Sequence, residues 1–139
     1  MSTFRSSRPQ EKTQNYRIDG SDIFAVQKIK HGLLSLLSGK YRPEQHQLIV
    51  LCIGTDRSTG DALGPLIGTK LKQLRPKHSF VVGTLDEPVH AVNLNDILTQ
   101  LQTAYPAPFI IAVDACLGRL ESVGSIDLGP GPTRPGAGV

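Results

Sequence analysis

The stretch "HQLIVLCIGTDRSTGDALGP", residues 46–65, decides the fold of this 139-residue chain. It opens with a continuous apolar run that ends at Gly54, a pattern typical of a strand covered on both faces of a parallel sheet. A loop rich in glycine and aspartate follows. A helical pattern of leucines then resumes around Pro65, which a helix tolerates only in its first turn. The stretch therefore predicts a strand, a loop and a helix in immediate succession.

The segments on either side continue this alternation. A helix is predicted upstream in "SDIFAVQKIKHGLLSLLSGK", where Gly39 can form a left-handed cap. Downstream, "HSFVVGT" and "PFIIAVDAC" are typical of short buried strands, a third helix is predicted between them from Val89 to Leu101, and "ESVGSIDLG" alternates like a more exposed strand. Strands that alternate with helices over short connections are parallel and joined by right-handed crossovers. We therefore predict an α/β fold, a three-layer α/β/α sandwich with a mainly parallel sheet.

Composition limits the classes of protein to which this fold can belong. At 39% hydrophobic and 19% charged residues, the chain is typical of one globular domain. We predict a mobile N-terminal arm at 1–17 and a single α/β domain at 18–139. The net charge of +3 is spread along the sequence rather than clustered, so no nucleic-acid partner is expected. No apolar stretch is long enough to span a membrane, the N-terminus has no apolar centre of a signal peptide, and a cytoplasmic protein is expected.

The loops that follow the predicted strands carry the candidate site. In an open parallel sheet these loops converge at the carboxyl ends of the strands, where ligands bind. The first loop supplies Thr55, Asp56, Arg57 and Asp61, the second supplies Asp86, Glu87 and His90, and the third supplies Asp114, Ala115 and Cys116. We interpret Asp61, Asp114 and Asp56 as candidate catalytic residues and Thr55, Arg57, Glu87 and His90 as candidate substrate-binding residues.

The first loop does not match a phosphate-binding motif. Gly54 and Gly60 are one residue too far apart for a Walker loop, and Asp61 stands where the lysine would be needed. A carboxylate at that position repels the anion that the backbone amides attract. The carboxylates are better interpreted as the working groups themselves. A close pair of carboxyl groups holds its protons unequally, so that one acts as a base toward water and the other as an acid toward a leaving amine.

Other interpretations of the same residues stay open. Asp61 can be a plain helix cap and Asp114 a turn former at the end of a strand. Cys116 and His90 can form a nucleophile and base, and His90 with the two aspartates can ligate a divalent metal. The two cysteines, Cys52 and Cys116, have no metal-ligand spacing, and we predict reduced, partly buried thiols.

Four blocks of the sequence carry a family resemblance: "IGTDRSTGDALGP", "GTLDEPVHAVNL", "IIAVDACLGR" and "GPGPTRPGAGV". Together they resemble the sporulation protein YyaC family of spore-forming bacteria, to which protease activity is attributed. That family is similar to the spore germination protease and, more distantly, to hydrogenase maturation proteases. The resemblance implies a phosphorylase/hydrolase-like α/β/α fold, with Asp61 and Asp114 at the positions of the germination protease's catalytic aspartates. The histidine that helps hold nickel in the maturation proteases has no match here, so no metal site is carried over.

These observations lead to two functional hypotheses. The first is a sporulation-associated endopeptidase related to the germination protease, acting in the spore or forespore cytoplasm on a protein or peptide, for which a spore protein is the candidate. The alternative is a non-catalytic sporulation factor that binds a partner peptide or a metal at the acidic edge of the sheet. No cofactor is expected, a divalent metal and a homo-oligomer are left open, and no membrane partner is expected. Because relatives in the family continue past "PGAGV", the domain is expected to be truncated at its C-terminus.

Overall fold

A computed structural model describes residues 14–132 of the chain. Within this range the helices and strands, in chain order, are β1 (Tyr16–Asp19), α1 (Ala25–Leu37), β2 (Gln47–Cys52), α2 (Leu63–Gln73), β3 (Ser79–Val82), α3 (Leu94–Ala104), β4 (Pro108–Val113) and β5 (Ser125–Leu128). The described residues divide into two compact units. The first comprises 14–38 and 124–131, and the second comprises 39–123 and 132.

The first unit pairs the two ends of the described chain. β1 and β5 are antiparallel, with Ile18 opposite Ile126, and Arg17 binds Asp127 at 2.8 Å. Gly32 of α1 lies against the side chains of Tyr16 and Leu128, so the helix packs closely on this ribbon. β5 is the fourth strand that the sequence predicts, and its partner is β1. β1 itself was not predicted, since its first two residues fall in the expected N-terminal arm.

The second unit is a three-stranded parallel sheet with the order β3, β2, β4. β2 is central, with Leu48 opposite Ser79 of β3 and Gln47 opposite Pro108 of β4. The chain is therefore an α/β protein whose central strands are parallel, as the alternation of strands and helices predicts. β2 also accounts for the apolar run in the deciding stretch, because Ile49, Leu51 and Cys52 are buried.

Both faces of β2 contact helices. Ile49, Leu51 and Ile53 form the core cluster with Val89 and Leu101, and Ile97 and Leu98 of α3 pack against it. Cys52 belongs to the alternate set of side chains, and its Cβ approaches Gly68 of α2. The continuous apolar character of the strand thus reflects a helix contact on each side.

The third predicted helix begins later than the sequence pattern indicated. α3 starts at Leu94, whereas Val89 forms an isolated parallel bridge with Ile53, and Val92 is 88% exposed. The prediction was wrong at this end because the helical spacing of apolar residues continues through a turn. Asn93 and Pro88 hold that turn, and the helix begins only after it. The other two helices agree with the prediction, and Gly39 has the positive φ of 75° expected after α1.

Two sequence predictions lie wholly or partly outside the described residues. They concern the arm at 1–17, of which 1–13 are not described, and the C-terminal loop, of which 133–139 are not described. Among the described residues, no helix is both long enough and apolar enough to cross a membrane.

Candidate functional site

The loop after β2 is folded back onto the end of that strand. Gly54 donates its N–H to the carbonyl of Val89 at 2.7 Å, and Thr55 donates to the carbonyl of Asp61 at 2.9 Å. The Asp61 N–H in turn donates to the Ser58 carbonyl at 3.0 Å. Gly54 has a φ of 149°, and a Cβ there would collide with the Asp61 carbonyl oxygen. Glycine at this position therefore lets Asp61 lie directly over the carboxyl end of the central strand.

Asp114 reaches the same place from the neighbouring strand. It directly follows Val113, the last residue of β4, and the Val113 carbonyl accepts the N–H of Ile53 at 2.8 Å. Asp114 is therefore beside Gly54, the residue on which Asp61 rests. Both aspartates are half-buried. The parallel register of β2 and β4 thus brings together two acids that are far apart in the sequence.

The pKa of Asp114 reflects its proximity to Asp61. Its pKa is raised above the usual value of 3.8, first because burial disfavours the charged form and second because the negative charge of Asp61 repels it. A hydrogen bond from the Ala115 N–H opposes these two effects without cancelling them. Asp114 is therefore suited to hold a proton near Asp61, the arrangement in which one carboxyl serves as acid and the other as base.

His90 lies at the same edge of the sheet as the aspartates, on the side of β2 opposite β4. It follows Val89, whose carbonyl accepts the Gly54 N–H. The His90 N–H donates to the Asn93 side-chain oxygen at 2.8 Å, and the Asn93 amide donates to the Pro88 carbonyl at 3.0 Å. The Val92 N–H donates to His90 Nδ1 at 3.3 Å. In the neutral ring the proton is therefore on Nε2, and His90 presents a hydrogen-bond donor at that atom.

Sequence reasoning missed Asn93 as the residue that fixes this loop. Asn93 immediately precedes α3, and asparagine is among the residues most favoured at the start of a helix. That preference was the available signal for both the helix boundary and the turn that carries His90.

Of the remaining predicted site residues, only Thr55 contacts the aspartate pair within 14–132, through its backbone N–H bond to the Asp61 carbonyl. The Thr55 side-chain oxygen accepts the Arg57 N–H at 3.2 Å, and the Glu87 N–H donates to the buried Thr84 hydroxyl at 3.0 Å. Asp56, Arg57, Asp86 and Glu87 are exposed, and within 14–132 none of their side chains makes a hydrogen bond or ion pair with Asp61 or Asp114.

The two cysteines are free thiols in different environments. Cys52 is buried, and burial raises the pKa of its thiol to about 11, which disfavours the reactive thiolate. Cys116 is exposed, so the prediction of a partly buried thiol was wrong there. Its position follows from the chain leaving the sheet after Asp114. Among residues 14–132 the hydrogen bond of the His90 ring is with the Val92 N–H and not with Cys116, so a Cys116–His90 pair is not formed.

A metal site was one interpretation of Asp61, Asp114 and His90. In the part of the chain that the structure describes, no three His, Cys, Asp or Glu side chains are close enough to hold a metal ion together. These three residues therefore share an edge of the sheet without forming a ligand set.

The raised pKa of Asp114 predicts a pH dependence of stability. The folded chain holds this proton more tightly than the unfolded chain, so the carboxyl's contribution is complete below the unfolded value and is lost as pH rises through the raised folded value. Asp114→Asn should therefore gain stability relative to the native chain between pH 3.8 and neutrality. Urea unfolding at several pH values measures this difference. Subtracting the stability–pH curve of the native chain from that of Asp114→Asn cancels the contribution of Asp127, which is the same in both proteins. That contribution has the opposite sign, because Arg17 lowers the pKa of Asp127. A difference that does not change with pH would contradict the assignment.

The fold and site together define an α/β protein with two half-buried carboxyl groups at the carboxyl edge of a parallel sheet. The chain belongs to the family described as "Protein of unknown function (DUF1256)", whose model matches residues 21–139. It is 48% identical over 131 residues to the "Uncharacterized protein YyaC" of Bacillus subtilis (strain 168), which confirms the predicted YyaC family. This match covers 94% of the chain and 62% of the relative, so the chain spans less than two thirds of that protein's length. No solved structure matches the chain significantly.

Proposed function

We propose that this protein hydrolyses peptide bonds with the Asp61–Asp114 pair, as a sporulation-associated endopeptidase. The observation that carries the proposal is the placement of two half-buried carboxyl groups beside Gly54, close enough for the charge of Asp61 to raise the pKa of Asp114. A carboxyl group with a perturbed pKa, brought beside a second carboxyl group at the carboxyl end of a parallel sheet, is typical of catalytic sites.

The two aspartates have different roles in the proposed reaction. Asp61, as a carboxylate, removes a proton from a water molecule while the water oxygen attacks the peptide carbonyl carbon. Asp114, which holds its proton more readily, gives that proton to the leaving nitrogen as the carbon–nitrogen bond breaks. The proton on Asp61 then passes to Asp114 or to solvent, and the pair returns to its starting state. The Nε2 donor of His90 is a candidate contact for the substrate carbonyl, and Thr55 holds Asp61 in place through its backbone.

The surrounding loops suit a peptide substrate. Arg57 and Glu87 are exposed charged residues on two loops at this edge, and we propose them as contacts to an extended chain. Asp56 is an exposed acid in the first loop, and its proposed role is to tune the charge of the aspartate pair. The substrate class is a protein or peptide, with a spore protein as the candidate, and the compartment proposed is the cytoplasm of the spore or forespore.

A three-layer α/β/α sandwich of the phosphorylase/hydrolase-like type is the fold that we propose for this protein. Support comes from the second unit, where α3 packs on the Ile49 and Leu51 side chains while Gly68 of α2 approaches the alternate residue Cys52. One sheet with a helix on each face is the minimal form of that architecture.

Peptide cleavage tests this function directly. We expect the chain to cleave members of a diverse peptide library, detected as new termini by mass spectrometry, and expect Asp61→Asn to lower the rate by about 10²–10⁴-fold because a general base is lost. Glu44→Gln is the matched control, since Glu44 is an exposed acid before β2, at the opposite edge of the sheet. Full activity in Asp61→Asn, or no cleavage by the folded native chain, would contradict the proposal. Stoichiometric peptide binding without turnover would instead favour the non-catalytic alternative.

A further inference from the structure

The edge of the parallel sheet opposite the aspartates is formed by segments that precede the strands. Residues 39–46 lead into β2 and residues 74–78 lead into β3, and the parallel pairing of Leu48 with Ser79 places these two segments side by side. α2 begins beside the carboxyl end of β2, where Gly64 contacts Ile53, so its last turn lies at this same amino end. Two stretches separated in sequence therefore meet at one edge within the second unit: residues 39–46, and the continuous stretch from the last turn of α2 through residue 78.

This edge is strongly basic. Glu44 is the one acid in these segments, and no acid occurs between Asp61 and Asp86. Six lysine and arginine residues lie in these segments, and we call them the basic edge: Lys40, Arg42, Lys70, Lys72, Arg75 and Lys77. All six are exposed, and among residues 14–132 none of them forms an ion pair with a carboxylate.

Arg75 has an unfavourable backbone conformation on this edge. It follows the C-cap residue Leu74 of α2 and has a φ of 50°, the left-handed region where glycine is favoured and a side chain is strained. An arginine there puts a guanidinium at the junction of α2 and the segment leading into β3. Backbone strain of this kind is more frequent at functional positions than elsewhere.

An aromatic ring is exposed near the start of β3, on the face of the sheet that packs against α3, because Phe80 pairs with Ile49. Phe80 lies three residues after Lys77, is 47% exposed, and its ring centroid is 4.8 Å from that of Tyr105. Tyr105 follows α3 at the same amino end of the sheet. Cations that neutralise phosphates, together with a ring on which a base can stack, are the combination used to bind single-stranded nucleic acid.

We propose that the basic edge and Phe80 bind single-stranded nucleic acid, with the cations along the phosphate backbone and a base stacked on the ring. The sequence alone led to the opposite expectation, because the net charge is spread over the whole chain, although four of these cations lie within residues 70–77. The fold places Lys40 and Arg42 beside that stretch. This binding is independent of the proposed hydrolysis, since the aspartates occupy the other end of the strands.

Salt dependence of binding is the first test. A fluorescent single-stranded oligonucleotide should bind the native chain, and each phosphate contact should contribute about −0.7 to the slope of log affinity against log salt. About four contacts would weaken binding roughly 50-fold between about 50 and 200 mM salt. Lys77→Gln should reduce the slope by about 0.7, whereas Lys30→Gln, which removes an exposed cation from α1 in the other unit, should leave it unchanged.

Arg75→Gly separates binding from folding, because the two effects have opposite signs. Glycine relieves the left-handed strain, so the temperature of thermal unfolding should rise while nucleic-acid affinity and its salt slope fall. Phe80→Ala should weaken binding without changing the salt slope. The proposal is overturned if no binding is measurable at about 50 mM salt, or if Lys30→Gln loses as much affinity as Lys77→Gln. Tighter binding to duplex DNA, to polyglutamate or to anionic lipid vesicles would likewise overturn it.

Discussion

Gly68→Ala should unfold or severely destabilise the second unit. A Cβ at this position of α2 would overlap the carbonyl oxygen of Gly83 and press on the Cβ of Cys52. The carbonyl belongs to backbone at the end of β3, so relief requires moving α2 away from the sheet. We expect the free energy of unfolding to fall by about 3 kcal/mol or more, because overpacking typically costs about 1–3 kcal/mol and here the obstacle is backbone rather than a flexible side chain. This is a large part of the roughly 5–15 kcal/mol that stabilises a typical domain.

Gly60→Ala is the matched control for this substitution. No atom lies within 4 Å of a Cβ at Gly60, and its φ is not in the left-handed region. Its effect on the free energy of unfolding should stay within about 0.5 kcal/mol, as for most surface substitutions. Urea unfolding followed by circular dichroism compares the two variants with the native chain. Equal stability of Gly68→Ala and Gly60→Ala would show that α2 does not pack on the sheet as closely as described.

The sequence predicted the second unit well because its central strand is buried on both faces. Such a strand must be a continuous apolar run, and β2 is one. The acids at its end could also be predicted to converge, because parallel strands deliver their following loops to one edge. Asp61 and Asp114 meet there for this reason. Which of the two has the raised pKa could not be read from spacing, since it depends on partial burial and a backbone N–H that only the folded chain supplies.

The features that were missed depend on long-range pairing or on side-chain hydrogen bonds within a local turn. β1 has only four residues and pairs with β5, far along the chain: Arg17 of β1 and its partner Asp127 are 110 positions apart. Neither length nor periodicity therefore marks β1 as a strand. Val89 fits a helical period but completes the core beside Ile53 as extended backbone, because Asn93 and Pro88 hold a turn before α3. Part of the basic edge was missed for the same reason as β1, since Lys40 and Arg42 join the cations of residues 70–77 only when β2 and β3 align.

Asp114→Asn should abolish most of the proposed activity while leaving the fold intact. An amide cannot give a proton to the leaving nitrogen, so the rate should fall by about 10²–10⁴-fold. At neutral pH the same substitution should slightly increase stability, because it removes a carboxylate that both burial and the charge of Asp61 disfavour. A loss of activity with a gain in stability is the expected signature of a group held in an unfavourable state for function.

Asp61→Asn tests whether the two carboxyl groups act together. It removes the repulsion from Asp114 but not the partial burial, so the pKa of Asp114 should fall part of the way toward 3.8. The limb of the pH–rate profile that reports Asp114 should then move to lower pH in whatever residual activity remains. Asp127→Asn is the control of opposite sign, since it removes an exposed partner of Arg17, should lower stability slightly, and should leave the rate unchanged. If Asp114→Asn retains its activity, or the pH limb stays in place in Asp61→Asn, the two carboxyl groups do not act together.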